Sequence, residues 1–175
     1  MTATEDMHGT PAGPENRTAT EITLHMVAGV DVQVPFELEP LRRKIAAAVE
    51  VLAASGASIA RVHVQLVGDA QMDCYHRKHS GIAGTTDVLT FLASGDAEPI
   101  EVDIIACVDE ARRRASEFGH AVNREILLYA VHGLLHCLGH DDHDPVAFEK
   151  MHAEEDRILS AIGVGPTFRP RGATS

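Results

Sequence analysis

The sequence predicts an α/β (α+β) fold in a single domain, with one mixed sheet of about four strands covered by helices. Short runs with strand-like patterns alternate with longer runs in which apolar residues recur every three or four positions. The chain has 175 residues, enough for one sizeable core, and no internal repeat is visible. The run over residues 123–144 carries most of the functional interpretation.

The ends of the chain differ from its middle. Residues 1–20 are rich in Thr, Gly, Pro, Asn and Glu and lack periodicity, which predicts a disordered leader. Residues 165–175 look similarly loose, so we expect a C-terminal tail there. The folded domain is therefore expected over residues 21–164.

The middle of the chain alternates between predicted strands and helices. The strands are predicted at Ile22–Met26, Val62–Val67, Val88–Leu92 and Val102–Ala106, with a further extended piece through Val34 after a turn near Gly29. The helices are predicted at Leu38–Ala54, Asp69–His79, Asp109–Phe118, Asn123–Leu138 and Pro145–Ile162. Asp69 and Asn123 are candidate N-caps, and Pro145 suits a first helical turn.

Composition excludes several classes of protein. No apolar run has the length of a membrane span, and the N-terminus lacks the layout of a signal peptide, so we expect a cytoplasmic protein. Cys74, Cys107 and Cys137 are scattered and odd in number, which argues against a disulfide framework and fits a reducing compartment.

The predicted helix over residues 123–138 carries two histidines on one face. His132 and His136 are four residues apart, which places their Cβ atoms roughly 5–6 Å from each other. A lone buried histidine is usually a core residue, but two on one face indicate a metal-binding helix. The turn at Gly139 brings further candidate ligands back to that face, namely His140, Asp141, Asp142 and His143. We expect one zinc ion per chain, with an open position for water.

The third ligand has two candidates. The spacing HxxxHxxGxxH places it six residues after His136, at Asp142, whereas a one-residue slip in the loop would present His143. The position that carries the catalytic glutamate in HExxH proteases holds Gly133, which argues against peptidase activity. Cys137 projects about 100° away around the helix, so we expect it to pack rather than bind metal.

Three motifs in order then resemble one known family. The run HGLLHCLGHDD at 132–142 resembles HGxLHLxGYDH of the YbeY family, the bacterial rRNA maturation factors regarded as metal-dependent endoribonucleases. TDVLTF at 86–91 is similar to the family's TDVLSF, and VDII at 102–105 stands where the family has GDI. The resemblance covers roughly residues 22–162. It implies the same α/β fold, single-stranded RNA as the substrate and a role in processing small-subunit ribosomal RNA.

One family segment is missing from the chain. Members carry LNxxYR before the TDVL motif, with an arginine implicated in catalysis, but counting back gives Ser80 there and His76 for the Asn. Arg77, beside Lys78, is a candidate replacement for that arginine, or an exposed surface residue. Asp141, with His140 and His143, is a candidate proton carrier near the metal. Asp87 either hydrogen-bonds an imidazole of the metal helix or stabilises a turn.

Charge bears on RNA binding. The formal net charge is -11, so RNA is repelled unless basic groups converge on the metal side. The available clusters are Arg42-Arg43-Lys44, Arg77-Lys78 and Arg112-Arg113-Arg114, which otherwise read as solvated helix faces. Aromatic residues make up only 4%, which argues against a base-stacking platform.

We therefore predict a zinc-dependent endoribonuclease of ribosome biogenesis. Its expected partners are single-stranded RNA and ribosomal RNA, with ribosomal subunit proteins as further candidates, and neither a membrane nor DNA. A ribosome-assembly or RNA-binding factor with a structural metal is the first alternative. A zincin-like hydrolase of another substrate is the second, supported by the histidine spacing alone.

Overall fold

The computed structural model describes residues 19–27, 30, 37–95 and 98–167. In these ranges the strands are β1 (Glu21–Met26), β2 (Ile59–Val67), β3 (Val88–Leu92) and β4 (Ile100–Cys107). The helices are α1 (Leu38–Ala54), α2 (Asp69–Ser80), α3 (Val108–Phe118), α4 (Val122–Cys137) and α5 (Pro145–Ala161). The leader before residue 19, the extended piece through Val34 and the tail after residue 167 lie outside the described residues.

The four strands form one mixed sheet in the order β1-β2-β4-β3. β2 pairs in parallel with both β1 and β4, whereas β3 pairs antiparallel with β4. The parallel pairs require crossovers, which α1 and α2 supply along the chain. The predicted α/β single-domain fold with one mixed four-stranded sheet is confirmed.

The two faces of the sheet are covered differently. Apolar residues of β2 and β4 that point to one face, such as Val64 and Ile104, share a core with α1, α3, α4 and α5. On the other face a smaller core lies beneath α2, where Met72 packs with Val67, Ile105 and Cys107. The main core fixes α4 against the sheet, and α4 positions the candidate site.

Most of α4 is buried, as its apolar pattern predicted. Ile126, Ala130, Val131, Leu134 and Leu135 are completely shielded from solvent. The helix cannot continue through Gly139, whose φ of +88° lies in the left-handed region. The chain therefore reverses at the glycine that the sequence singled out.

Two predicted N-caps are wrong. α4 begins at Val122 with Ala121 as its N-cap, because the Arg124 backbone N–H already donates to the Ala121 carbonyl at 3.0 Å. Asp69 is the first residue of α2 rather than its cap, which is Gly68, and the Asp69 carboxylate binds Arg113 instead. The start of α5 agrees with expectation, with Pro145 in the first turn.

No helix in the described ranges combines the length and the apolar character needed to cross a bilayer.

Candidate metal centre

α4 and the loop after it bring three side chains together. The His132 and His136 rings stand nearly perpendicular, with centroids 4.5 Å apart and Nε2 atoms 2.9 Å apart. Beyond the Gly139 turn, Asp142 places carboxylate oxygens 3.8 Å from His132 Nε2 and 3.9 Å from His136 Nε2. One potential ligand atom from each of the three residues lies within 4.8 Å of the other two.

This donor set suits a divalent metal ion. Zinc binds nitrogen and carboxylate oxygen at about 2.0–2.2 Å, so tetrahedral ligand atoms lie about 3.3 Å from each other. The observed separations of 2.9, 3.8 and 3.9 Å bracket that value. Two imidazoles and one carboxylate leave a fourth position open. All three side chains are partly exposed, so a substrate can reach them.

Hydrogen bonds at the outer ring nitrogens orient both imidazoles. His132 Nδ1 lies 2.6 Å from Oε1 of the buried Glu155, and His136 Nδ1 lies 3.1 Å from the His140 carbonyl. With each Nδ1 engaged, each Nε2 faces the centre. Burial lowers the pKa of His132, but the hydrogen bond and charge of Glu155 and the charge of Asp142 outweigh it, so that this pKa lies above its ordinary value.

The loop after α4 places Asp142 and His143, the two candidates for the third ligand, in different surroundings. His143 has a side chain that is 84% exposed, and its Nδ1 contacts Asp141 Oδ1. Among the described residues, the possible ligand groupings place Asp142 with His132 and His136, and His143 with Asp141 and Asp142.

Asp141 shapes this loop. Its Oδ1 accepts the backbone N–H groups of Asp142 at 2.8 Å and His143 at 3.3 Å. The hydrogen bond from His143, followed by those backbone groups, holds the pKa of Asp141 below its usual value. A carboxylate held in this way fixes the course of the loop that presents Asp142.

Gly133 leaves no room for a side chain. A Cβ atom built on it would lie 2.4 Å from Thr90 Oγ1 of β3, closer than real Cβ contacts come. A glutamate at this position, as in HExxH proteases, therefore requires Thr90 or β3 to shift. Tertiary packing supports the argument against peptidase activity that the sequence made.

Two other residues have structural roles. Asp87 Oδ1 accepts from Thr86 Oγ1 at 3.0 Å and from the Val88 N–H at 2.8 Å, which is the turn-stabilising alternative. Cys137 packs against the main core, as expected from its direction on the helix, and burial raises the pKa of its thiol.

Comparisons with known proteins identify the family of this chain. The sequence model described as endoribonuclease YbeY matches residues 30–163. The chain belongs to the YbeY family. Endoribonuclease YbeY of Pelotomaculum thermopropionicum is 36% identical over 126 residues, which cover 67% of this chain and 83% of the relative. Endoribonuclease YbeY of Desulfitobacterium hafniense is 37% identical over 134 residues, covering 71% of this chain and 84% of the relative.

A solved structure shares the fold of this chain. The solution structure of TM1509 from Thermotoga maritima superposes with a TM-score of 0.52 at 23% sequence identity, covering 89% of this chain and 99% of that one. At this identity the likeness shows the shared fold alone. Family and fold, as predicted from the sequence, are thus confirmed.

Arg77, which the sequence offers as a candidate catalytic arginine, lies on the exposed side of α2. Its side chain is 59% exposed, and its Nε donates to Asp73 at 2.9 Å. Asp73 also accepts the Gly84 N–H at 2.6 Å, while His76 Nδ1 lies 2.9 Å from the Gly84 carbonyl. This end of α2 therefore anchors the loop that leads to the TDVLTF motif. Within the described ranges, Arg77 forms its ion pair with Asp73 and none with Asp142.

The basic clusters are largely paired with carboxylates. Arg42 binds Glu39 at 2.8 Å, and Arg113 binds Asp69 through both terminal nitrogens at 2.8 Å. Arg112 binds Asp109 at 2.9 Å. Such pairs reduce the positive charge that these helices offer to RNA.

Sequence reasoning missed two residues around His132 in this YbeY chain. Glu155 is 1% exposed, and its second oxygen lies 2.6 Å from His152 Nδ1. The sequence does contain a signal for Glu155, because this residue shares the helical spacing of the buried apolar residues Met151, Ile158 and Leu159. A carboxylate among such positions indicates a buried polar partner.

Proposed function

We propose that this protein is a zinc-dependent endoribonuclease that cleaves single-stranded RNA in the cytoplasm during ribosomal RNA maturation. The observation that carries the proposal is the convergence of His132, His136 and Asp142 in a chain of this family. Small-subunit ribosomal RNA and proteins of the ribosomal subunit are the proposed partners.

His132, His136 and Asp142 would hold the ion, one per chain. When bound, it supplies acidified water and a polarised phosphoryl oxygen, both of which phosphodiester cleavage needs. The protein directs two Nε2 atoms inward through the hydrogen bonds at Nδ1. The donors are half-exposed, so a flexible RNA strand can approach them.

Two further residues have proposed catalytic roles. Asp141 sets the loop that presents Asp142 and is the proposed proton carrier beside it. Arg77 is the proposed phosphate contact, which requires its guanidinium to leave Asp73 for the RNA. An arginine on an exposed helix face reorients readily, since solvent screens the ion pair that it makes there.

A non-catalytic RNA-binding factor of ribosome assembly is the second candidate. Ser80 in place of the family arginine favours it, and the paired arginines and the net charge of -11 limit the attraction of RNA to the surface. A zincin-like hydrolase of another substrate is supported by the spacing of His132 and His136 alone.

The test is metal analysis and RNA cleavage on one set of purified proteins. Wild type is expected to carry about one zinc ion and to cut single-stranded RNA, whereas His136→Ala should lose both properties. His25→Ala is the matched control, because His25 is an exposed histidine on β1, the edge strand opposite β3. It should retain both.

The outcomes distinguish the candidates. Cleavage that disappears with the zinc in His136→Ala supports the nuclease. Stoichiometric zinc and RNA binding without cleavage would replace it by the assembly factor. Wild-type protein that was never exposed to chelators and holds no transition metal would refute both metal-dependent functions.

A further inference from the structure

Glu155 is an isolated acidic side chain on the buried face of α5. It is 1% exposed, and its helix neighbours Met151, Ile158 and Leu159 are fully buried. Burying a carboxylate in apolar surroundings is strongly unfavourable unless hydrogen bonds compensate. The role of Glu155 therefore depends on the groups that hydrogen-bond to its carboxylate.

Both of its carboxylate oxygens meet imidazole nitrogens. Oε1 lies 2.6 Å from His132 Nδ1, and Oε2 lies 2.6 Å from His152 Nδ1. An ionised carboxylate can only accept, so both Nδ1 atoms must donate. In a neutral imidazole the lone pair is then on Nε2. The Nε2 of His132 faces His136 and Asp142.

His152 fixes the direction of the carboxylate. Its side chain is only 20% exposed, and its ring packs edge-on against Phe148, with centroids 4.1 Å apart. Because His152 Nδ1 contacts Oε2, turning the carboxylate away from His132 would also break this second contact. His136 differs, since its Nδ1 meets the neutral carbonyl of His140 at 3.1 Å.

We propose that Glu155 and His152 act together as positioning residues for His132, locking its ring in the Nδ1–H tautomer with the Nε2 lone pair directed at the metal centre. This inference rests on the proposed function for the identity of the ligand. The donation from His132 Nδ1 to Glu155 is a property of the metal-free chain.

The contacts from His152 through Glu155 to His132 predict how strongly each substitution lowers the zinc affinity. Removing the carboxylate partner of a metal-binding histidine typically lowers metal affinity 10–100-fold. We expect a loss in that range for Glu155→Gln, which keeps the shape but not the charge. His152→Ala leaves the carboxylate in place without its second partner, so a smaller loss, up to about 10-fold, is expected.

The experiment measures zinc affinity by competition with a chromophoric chelator, using the full chain. Glu154→Gln is the matched control, because Glu154 is the adjacent residue on α5 and its side chain binds Arg157 at 2.6 Å. Glu154→Gln should bind zinc like wild type, whereas Glu155→Gln and His152→Ala should bind it more weakly. Equal affinity in all four proteins would overturn the proposal.

A second readout needs no metal. Nitrogen-15 NMR of zinc-depleted protein at alkaline pH reports which ring nitrogen carries the proton. Wild type should show Nδ1–H on both His132 and His152. The Glu155→Gln amide offers one acceptor and one donor, so one of the two rings must switch tautomer. An unprotonated Nδ1 on His132 in wild type would contradict the inference.

The two readouts separate the possible failures. Wild type without zinc affinity refutes the proposed function, while the tautomer of His132 still tests the positioning role. If Glu155→Gln does not fold, His152→Ala decides through the same measurements. An unchanged affinity and an unchanged His132 tautomer in that variant would then refute the role of His152.

Discussion

Thr90 packs directly against the backbone of Gly133, so that a Cβ atom on residue 133 would lie 2.4 Å from the threonine hydroxyl oxygen. β3 thus approaches α4 at the residue that follows His132. A side chain at position 133 requires Thr90 or β3 to shift, which disfavours the glutamate that HExxH enzymes carry there.

We predict that Gly133→Ala destabilises the protein by about 1–3 kcal/mol, the usual range for overpacking a tight core. The loss should disappear in the Thr90→Ala background, because that change removes the nearest side-chain atoms. There, Gly133→Ala should be neutral or stabilising, since alanine is favoured over glycine in a helix by about 1 kcal/mol. Urea unfolding of the four proteins gives the comparison. The same loss in both backgrounds would show that Thr90 is not the obstacle.

We predict that Asp142→Asn releases zinc and that His143→Ala retains it. Asp142 reaches both imidazoles, at 3.8 and 3.9 Å, whereas the ring of His143 is largely exposed. Zinc content and chelator competition measure the difference. Loss of zinc from His143→Ala with retention in Asp142→Asn would transfer the ligand role to His143.

Asp141→Asn is predicted to reduce RNA cleavage more than it reduces zinc content. Its carboxylate holds the loop backbone and contacts His143, but lies in a different ligand grouping from His132 and His136. A cleavage assay at saturating zinc isolates the effect. If cleavage and zinc content fall together, Asp141 acts through metal binding.

Arg77→Ala is predicted to lower cleavage while leaving the zinc content unchanged. Arg42→Ala is the control, because Arg42 is also an exposed arginine paired with a carboxylate of its own helix. Cleavage rates of the two variants should differ if Arg77 contacts a phosphate of the RNA. Equal rates would leave Arg77 as a surface residue that pairs with Asp73.

We predict that the buried carboxyl group of Glu125 makes the free energy of unfolding depend on pH, independently of any metal. It is 5% exposed and lies 2.8 Å from His120 Nε2. Burial raises the pKa of Glu125 above the ordinary 4.5, and the charges of His120 and Arg114 offset only part of this. The folded state therefore binds this proton more tightly than the unfolded chain, so stability falls as pH rises from about 4.5 through the folded pKa.

Urea unfolding between pH 4 and 6 tests this sign. Glu125→Gln cannot ionise, so its free energy of unfolding should rise relative to wild type as the pH increases. Glu50→Gln, a change at an exposed position of α1, should show no such trend. A difference between wild type and Glu125→Gln that stays constant with pH would contradict the prediction.

Much of the fold follows from local patterns along the chain. Alternating strands and amphipathic helices specified the α/β class, and Gly139 marked the end of α4 because its left-handed backbone stops helical hydrogen bonding. The two N-caps were predicted wrongly, because the candidate caps Asp69 and Asn123 each lie inside the helix that they were expected to cap. Helix limits depend on backbone hydrogen bonds that composition describes only to within a residue or two.

The sequence by itself determined the family, the mixed α/β architecture and the spacing of His132 and His136, because helical periodicity and motif order are properties of neighbouring residues. Tertiary structure alone decided which loop residue approaches both imidazoles, that Glu155 and His152 stand behind His132, and that Thr90 fills the space beside Gly133. Those contacts join α4 to β3, to α5 and to the loop after Gly139. They depend on how the core packs these elements together, which no local pattern encodes.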